Sequence, residues 1–435
     1  MADIKTLYPA KGVKLCLIPT EQFKTSIVSA IIAMPLAGRI EERALLSSLL
    51  RRASAKYDDL TKMNRKLAGL YGAVLSSGVD KIGEGQFVSF SVSSVDDRFA
   101  IDGERISSEC IELLLEILFE PKLCDGVFSA EDVETEKRLF AEKIDSEFSD
   151  KKLYSLEAMI EKMCEDEVYS VKRYGSKEKL LSLTPEDVTA AWREMLASAM
   201  IQFNVVGNCD GGDIAQKLRE RFEKVDRSNP CEIRTQIISE CDGEKYFSES
   251  QSVKQGKLVI GMRSGMKDKD DDYYAFKVMT DMFGGGPYSK LFMNVREKMS
   301  LCYYCGARLN RAKGIIVVQS GIEQENEQKA VAAIRQQLED MKNGVFTDED
   351  IENSIKGISD MVLSANDLPD TINAWYSGNY TSVEDDEKVS PEEFVENIQK
   401  VTASQVKEAA KKVSIDTIFM LKPNGKGVDE DDDED

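Results

Sequence analysis

Apolar residues along the chain recur at two different periods, and the two periods alternate. Residues 13–18 and 26–34 are nearly unbroken apolar runs rich in β-branched side chains, the pattern of buried strands. Leu45, Leu46, Leu49 and Leu50 then fall at helical spacing and predict a helix over 40–52. A second helix is expected over 60–70, ending before Tyr71-Gly72. Strands are expected at 74–77 and at 87–95, where Val88, Phe90 and Val92 alternate with serines. A helix over 106–118 stops before Pro121, and a long charged helix begins near Ser129. The run closes with a helix at 184–196 and a strand at 200–206. Thr184-Pro185-Glu186-Asp187 is a strong helix start: a threonine cap, a proline in the first turn, and acids against the positive end of the dipole.

The second half repeats this order. A strand is predicted at 257–262 and a helix at 273–283, broken by Gly284-Gly285-Gly286-Pro287. A helix at 289–298, strands at 302–308 and 314–320, and helices at 326–341 and 347–364 follow. The half ends on a capped helix, 402–413, and a strand, 418–422. Residues 183–188 (LTPEDV) and 401–406 (VTASQV) mark the repeat, each leading through a helix into a strand. The fold class implied is α+β, with two similar domains in tandem. The expected division is a first domain at 1–225, a polar linker at 226–249, a second domain at 250–425 and an acidic tail at 426–435.

Composition narrows the possible functions. A chain of 435 residues suits two domains rather than one core, and 42% apolar residues are enough to fill both. A net charge of −21 would repel nucleic acid and anionic membranes, so neither is expected as a partner. The first thirteen residues lack an apolar signal core, and no run approaches a membrane span, which favours a cytoplasmic setting. Nine scattered cysteines, an odd number, suit reduced thiols. The decisive feature of the composition is histidine, of which there is none. That removes imidazole zinc sites and the serine–histidine and cysteine–histidine mechanisms together.

The segment richest in candidate chemistry is 284–308, GGGPYSKLFMNVREKMSLCYYCGAR. The glycines permit a tight turn before a helix capped by Ser289. The segment lacks the GK[ST] ending of a phosphate loop. Arg296 near the helix end and Tyr303 on the following strand could serve as a helix-end donor and a packed ring. Cys302 and Cys305 form a CxxC with no second CxxC to complete a zinc site. A redox role for the pair would require a depressed thiol pKa.

This segment resembles the C-terminal domain of the insulinase/pitrilysin family of zinc peptidases, which includes the mitochondrial processing peptidases. A Gly-rich turn, a Ser-[RK]-Leu helix start, a V-R-E-K and a [LY]-x-Y strand recur there in this order. The resemblance extends over nearly the whole chain and implies two domains of the LuxS/metallohydrolase-like α+β type. It places the family's substrate-binding arginine and tyrosine on Arg296 and Tyr303, beside Gly285 and Gly286. Both side chains are donors that can be preorganised where negative charge develops.

The family's zinc motif is HxxEH in the first domain. By resemblance its positions fall on Ala44-Leu45-Leu46-Ser47-Ser48, because Arg52-Ala53-Ser54-Ala55-Lys56-Tyr57 is similar to the family's K-G-T-x-x-Y. Ala44 and Ser48 stand at the ligand positions and Ser47 at the base. Lys143 stands at the third ligand, with Glu142 next to it and Glu136 matching the other common acid of that helix. The spacing from Ser48 to Lys143 exceeds the family's, and a loop at 76–86 together with the segment near 102–107 would account for it. Some family members divide the work between two chains. The resemblance implies that this one binds no cofactor and closes the chamber of a heterodimer. Its HxxEH-bearing partner would hold the zinc, and the substrate would be a peptide. The other readings are an inert scaffold of the same fold and a thiol redox protein.

Overall fold

The computed structural model describes residues 4–267, 272–377 and 389–424. The acidic tail expected at 426–435 lies outside them. The chain opens with β1 (Lys5–Ala10), β2 (Val13–Ile18) and β3 (Thr25–Pro35), followed by helices α1 (Ile40–Arg52) and α2 (Leu60–Gly69). Strands β4 (Val74–Ile82) and β5 (Gly85–Val95) form a hairpin, and α3 (Ile106–Phe119) follows. A two-residue hairpin, β6 (Leu123–Cys124) and β7 (Val127–Phe128), leads to α4 (Ala130–Ser149) and α5 (Lys151–Met163). Next come α6 (Lys177–Ser182), α7 (Pro185–Ser198), β8 (Met200–Val206) and α8 (Gly211–Phe222). The second half comprises β9 (Lys245–Gln251), β10 (Gly256–Arg263), α9 (Tyr273–Gly284), a π-helix (Leu291–Lys298), β11 (Cys302–Asn310) and β12 (Ile315–Ile322). It ends with α10 (Glu327–Asn343), α11 (Asp348–Leu363), α12 (Pro369–Ser377), α13 (Pro391–Ile398), α14 (Ala403–Lys411) and β13 (Ser414–Pro423).

Two α+β units result, each with its own sheet. The first has strand order β1-β2-β8-β3-β5-β4 and the second β11-β12-β10-β13-β9. Read in one direction, β2-β8-β3-β5-β4 matches β9-β13-β10-β12-β11. In each, the first pair is parallel and the rest antiparallel. The internal repeat is therefore a repeat of topology, with β1 as an extra edge strand on the first unit.

The units do not divide at a single point in the sequence. The first holds residues 1–145, 171–234 and 365–388; the second holds 146–170, 235–364 and 389–435. Within the second unit, α5 lies on the sheet, where Met159, Ile160 and Met163 pack with Val259, Phe419 and Leu421. Within the first, α12 lies on β3 and β8, where Asn373 accepts hydrogen bonds from Ser29 Oγ (2.8 Å) and Asn204 Nδ2 (3.1 Å). Each sheet is thus finished by a helix taken from the other half of the sequence.

Two local expectations are corrected. The loop expected at 76–86 is instead the paired hairpin β4–β5. Its two-residue turn has Gly83 at φ 54°, as short hairpin turns require. The predicted linker ends earlier than expected: residues 245–249 begin β9, which runs parallel to β13 at the sheet edge. Its burial alternates between exposed and intermediate positions, so it reads as polar.

Candidate functional site

In the first unit, a cleft of about 340 Å³ is lined by α1 (Ser47, Ser48, Arg51), β4 (Leu75, Ser76, Ser77) and α4 (Glu136, Leu139, Phe140, Lys143). Helix α1 forms because its leucines face the core beneath the sheet, with Glu41 and Glu42 in its first turn and Arg51 and Arg52 in its last. Ser47, Ser48, Glu136 and Lys143 therefore meet at one place. Ala44 does not line the cleft; it is fully buried in the core of this unit. Glu142 is also absent from the lining and faces Arg138 at 3.6 Å.

The groups in this cleft do not fit a zinc ion. The Ser47 hydroxyl donates to Ala44 O (2.7 Å) and the Ser48 hydroxyl to Leu45 O (3.0 Å), both within their own helix. Glu136 accepts from Arg52 Nη1 at 2.9 Å, and Arg52 also reaches Asp132 at 3.1 Å. The Lys143 ammonium lies over the rings of Phe140 and Tyr174, 5.3 and 5.0 Å from their centroids. Serine hydroxyls are weak zinc ligands, an ammonium repels a cation, and the one carboxylate is committed to an arginine. Among the described residues, no cluster of three or more histidine, cysteine, aspartate or glutamate side chains could hold a metal.

In the second unit, Arg296 sits on the π-helix Leu291–Lys298 and Tyr303 at the start of β11. Arg296 Nε donates to the Tyr303 carbonyl at 2.7 Å, its Nη1 lies 3.2 Å from Glu297, and its guanidinium stacks 4.5 Å from the Phe292 ring centroid. Tyr303 is 57% exposed, and its hydroxyl donates to Glu323 Oε1 at 2.7 Å. That bond raises the phenol pKa above its ordinary value. Gly285 and Gly286 are explained by crowding. A Cβ on Gly285 would meet the Asp281 carboxylate, and one on Gly286 would lie 2.8 Å from the Tyr288 ring. Tyr288 in turn donates to Asp281 at 2.8 Å, which closes the glycine turn.

Sequence reasoning missed Arg51, Leu75, Ser76, Ser77, Leu139 and Phe140 in the cleft, and Glu323 beside Tyr303. Ser76 and Ser77 fall where the strand expected at 74–77 and the loop expected at 76–86 overlap, and neither expectation placed them beside α1 and α4. Arg51 lies one turn after Ser47 and Ser48, and Leu139 and Phe140 one turn before Lys143, so helical spacing could have found these three.

Residues 182–358 match the family model described as the peptidase M16 inactive domain. The probable inactive metalloprotease YmfF of Bacillus subtilis (strain 168) is 30% identical over 412 residues, which cover 94% of this chain and 96% of that protein. The chain belongs to the M16 family, the insulinase-type metallopeptidases. It falls with the family's inactive members, as the loss of every histidine requires. A conserved protein from Enterococcus faecalis V583 of known crystal structure has the same fold. Its TM-score is 0.87 at 27% identity, covering 97% of this M16 chain and 99% of that one. An M16 inactive-domain protein from Pseudomonas fluorescens gives 0.77 at 16% identity, covering 98% and 100%, and speaks to the fold alone.

Proposed function

We propose that this M16 chain is the non-zinc-binding subunit of a heterodimeric peptidase. It closes the chamber and offers Arg296 and Tyr303 to a peptide substrate, while an HxxEH-bearing partner subunit supplies the zinc and the base. The observation that carries this reading is a contrast between the two units. Ser47, Ser48, Glu136 and Lys143, which stand at or beside the family's zinc-site positions in the first unit's cleft, each have an internal partner. Arg296 and Tyr303, by contrast, stand at the surface of the second, where a peptide can reach them. A guanidinium and a phenol are donors suited to a peptide carbonyl whose oxygen gains charge. A cytoplasmic location belongs to the same reading and is supported by nine free thiols.

The test is reconstitution with an HxxEH-bearing M16 chain. Arg296→Ala should leave the complex intact and lower peptide cleavage on the order of 10²-fold, the usual cost of one lost transition-state donor. A complex that forms and cleaves at the unmutated rate would remove the proposed role. It would leave the second reading, an inert scaffold or binding protein. That alternative is favoured by the local bonds of Arg296 to the Tyr303 carbonyl and of Tyr303 to Glu323, which give both side chains a structural use.

A further inference from the structure

The CxxC at Cys302 and Cys305 is not absorbed by the subunit reading. Three residues apart on a regular strand, these side chains would point to opposite faces of the sheet. Here the pairing of β11 with β12 slips. Cys302 lies opposite Ile322, Tyr304 opposite Gly321 and Cys305 opposite Ser320, with Tyr303 as the extra residue of a β-bulge. Ile322 and Ser320 are two apart and share a face, so the bulge brings the two cysteines onto one face as well. It also compresses their separation. Two strand rises place their Cα atoms about 6.6–6.8 Å apart, the upper end of the roughly 4.4–6.8 Å that a disulfide spans.

From this geometry we infer that Cys302 and Cys305 are a reversible dithiol–disulfide pair that reacts with low-molecular-weight disulfides. The inference rests on β11 and β12 alone and stands or falls apart from the subunit reading.

The surroundings assign a role to each sulfur. Cys302 is half-buried and Cys305 buried, so an incoming reagent meets Cys302 first. The Cys302 thiol is acidified to about 7 by the thiol of Cys305, against the effect of burial, with further help from the Ser320 hydroxyl and the charge of Arg296. Cys305 is pushed well up by the same contact with Cys302 and by burial. Cys302 therefore loses its proton to solvent, and its thiolate attacks one sulfur of the small disulfide RSSR. A mixed disulfide forms and RS⁻ leaves. Cys305 then gives up its proton and attacks Cys302 Sγ, expelling the second RS⁻. The two protein protons end on the two released thiols, and the protein dithiol has been oxidised by two electrons while RSSR is reduced. A bridge whose outer sulfur is half-buried and open to small thiols suits a labile rather than a structural disulfide.

The full-length protein, reduced and freed of reductant, is titrated with glutathione disulfide, alkylated and digested with trypsin. The tryptic peptide 299–308 holds both cysteines and no other. Its mass should fall by two hydrogens, take up no alkyl group, and recover on addition of dithiothreitol. Cys305→Ser should instead trap glutathione on Cys302. The inference is overturned if peptide 299–308 keeps two alkylatable thiols when the exposed Cys124 has already formed its mixed disulfide. It is equally overturned if the unmutated protein stops at glutathionylated Cys302 without closing the ring.

Discussion

The second unit is held by four buried charges whose removal should be felt in that unit. Glu167 accepts from Arg263 Nη2 at 2.7 Å and faces Lys313 Nζ at 2.7 Å, while Arg263 Nε reaches Asp416 at 2.7 Å. All four side chains are at least 95% buried, and their charges cancel. Glu167→Gln keeps the shape and leaves one net positive charge in the core. Breaking a buried pair by removing one partner costs about 3–5 kcal/mol. At a urea slope of about 2 kcal/mol/M this moves a midpoint down by about 1.5–2.5 M. Adding Lys313→Met to Glu167→Gln restores neutrality and should recover much of the loss. Both tryptophans, Trp192 and Trp375, belong to the first unit, so fluorescence follows that unit while far-UV circular dichroism follows both. The circular dichroism transition should move and the fluorescence transition should stay. Acid gives a second readout. Burial pushes the Glu167 pKa up, but hydrogen bonds from Arg263 and Lys313 outweigh it and hold the pKa below the usual 4.5. The stabilisation is therefore complete above that value and is lost as pH falls through the lower folded-state value, a loss that Glu167→Gln should no longer show. A Glu167→Gln cost below about 1 kcal/mol, the range of an exposed pair, would refute the reasoning.

Other outcomes follow from single contacts. Iodoacetamide labelling of Cys302, read by mass spectrometry, should rise through pH about 7, and Cys305→Ser, which removes the main cause, should move that midpoint upward. Asn373→Ala removes the acceptor of Ser29 and one of the two acceptors of Asn204, which keeps Ser377 Oγ, and should cost about 1–3 kcal/mol, visible in the fluorescence of Trp375 on the same helix. Thr347→Ala removes the capping box with Asp350 at the start of α11 and should cost about 1 kcal/mol by circular dichroism. Ala44→His, forced into a filled core, should cost the first unit about 1–3 kcal/mol in urea, whereas Ser48→His at the cleft should change it by less than about 0.5 kcal/mol.

Much of this was legible in the chain. Continuous runs such as Met200–Val206 and helical leucines such as those of α1 find their places because burial on a fixed face is written into local order. Half-polar edge strands are harder. Ser76–Ile82 and Lys245–Gln251 have only one partner strand and partial burial, so their composition resembles loops. The assignment of α5 and α12 to units formed by the other half of the chain depends on tertiary packing, which no local period carries. The winding of Leu291–Lys298 as a π-helix is equally invisible, since its apolar spacing differs little from that of an α-helix over eight residues. Ser47, Ser48 and Lys143, named through the motif register, line one cleft, because helix spacing survives substitution. It could not show that Ala44 had joined the core.

The two candidate regions differ in how firmly their groups are already bound, and that difference bears on function. In the cleft, Glu136 is bound to Arg52, which also holds Asp132, the Ser47 and Ser48 hydroxyls are bonded to their own helix, and the Lys143 cation rests on two rings. Restoring zinc would require more than three substitutions on α1 and one on α4. Glu136 would also have to leave a part-buried arginine, and a core position would have to admit an imidazole. Arg296 and Tyr303 are held by bonds that face solvent. Water or a peptide can replace such partners without stranding a buried charge. This division is what the proposed work beside a zinc-bearing partner predicts.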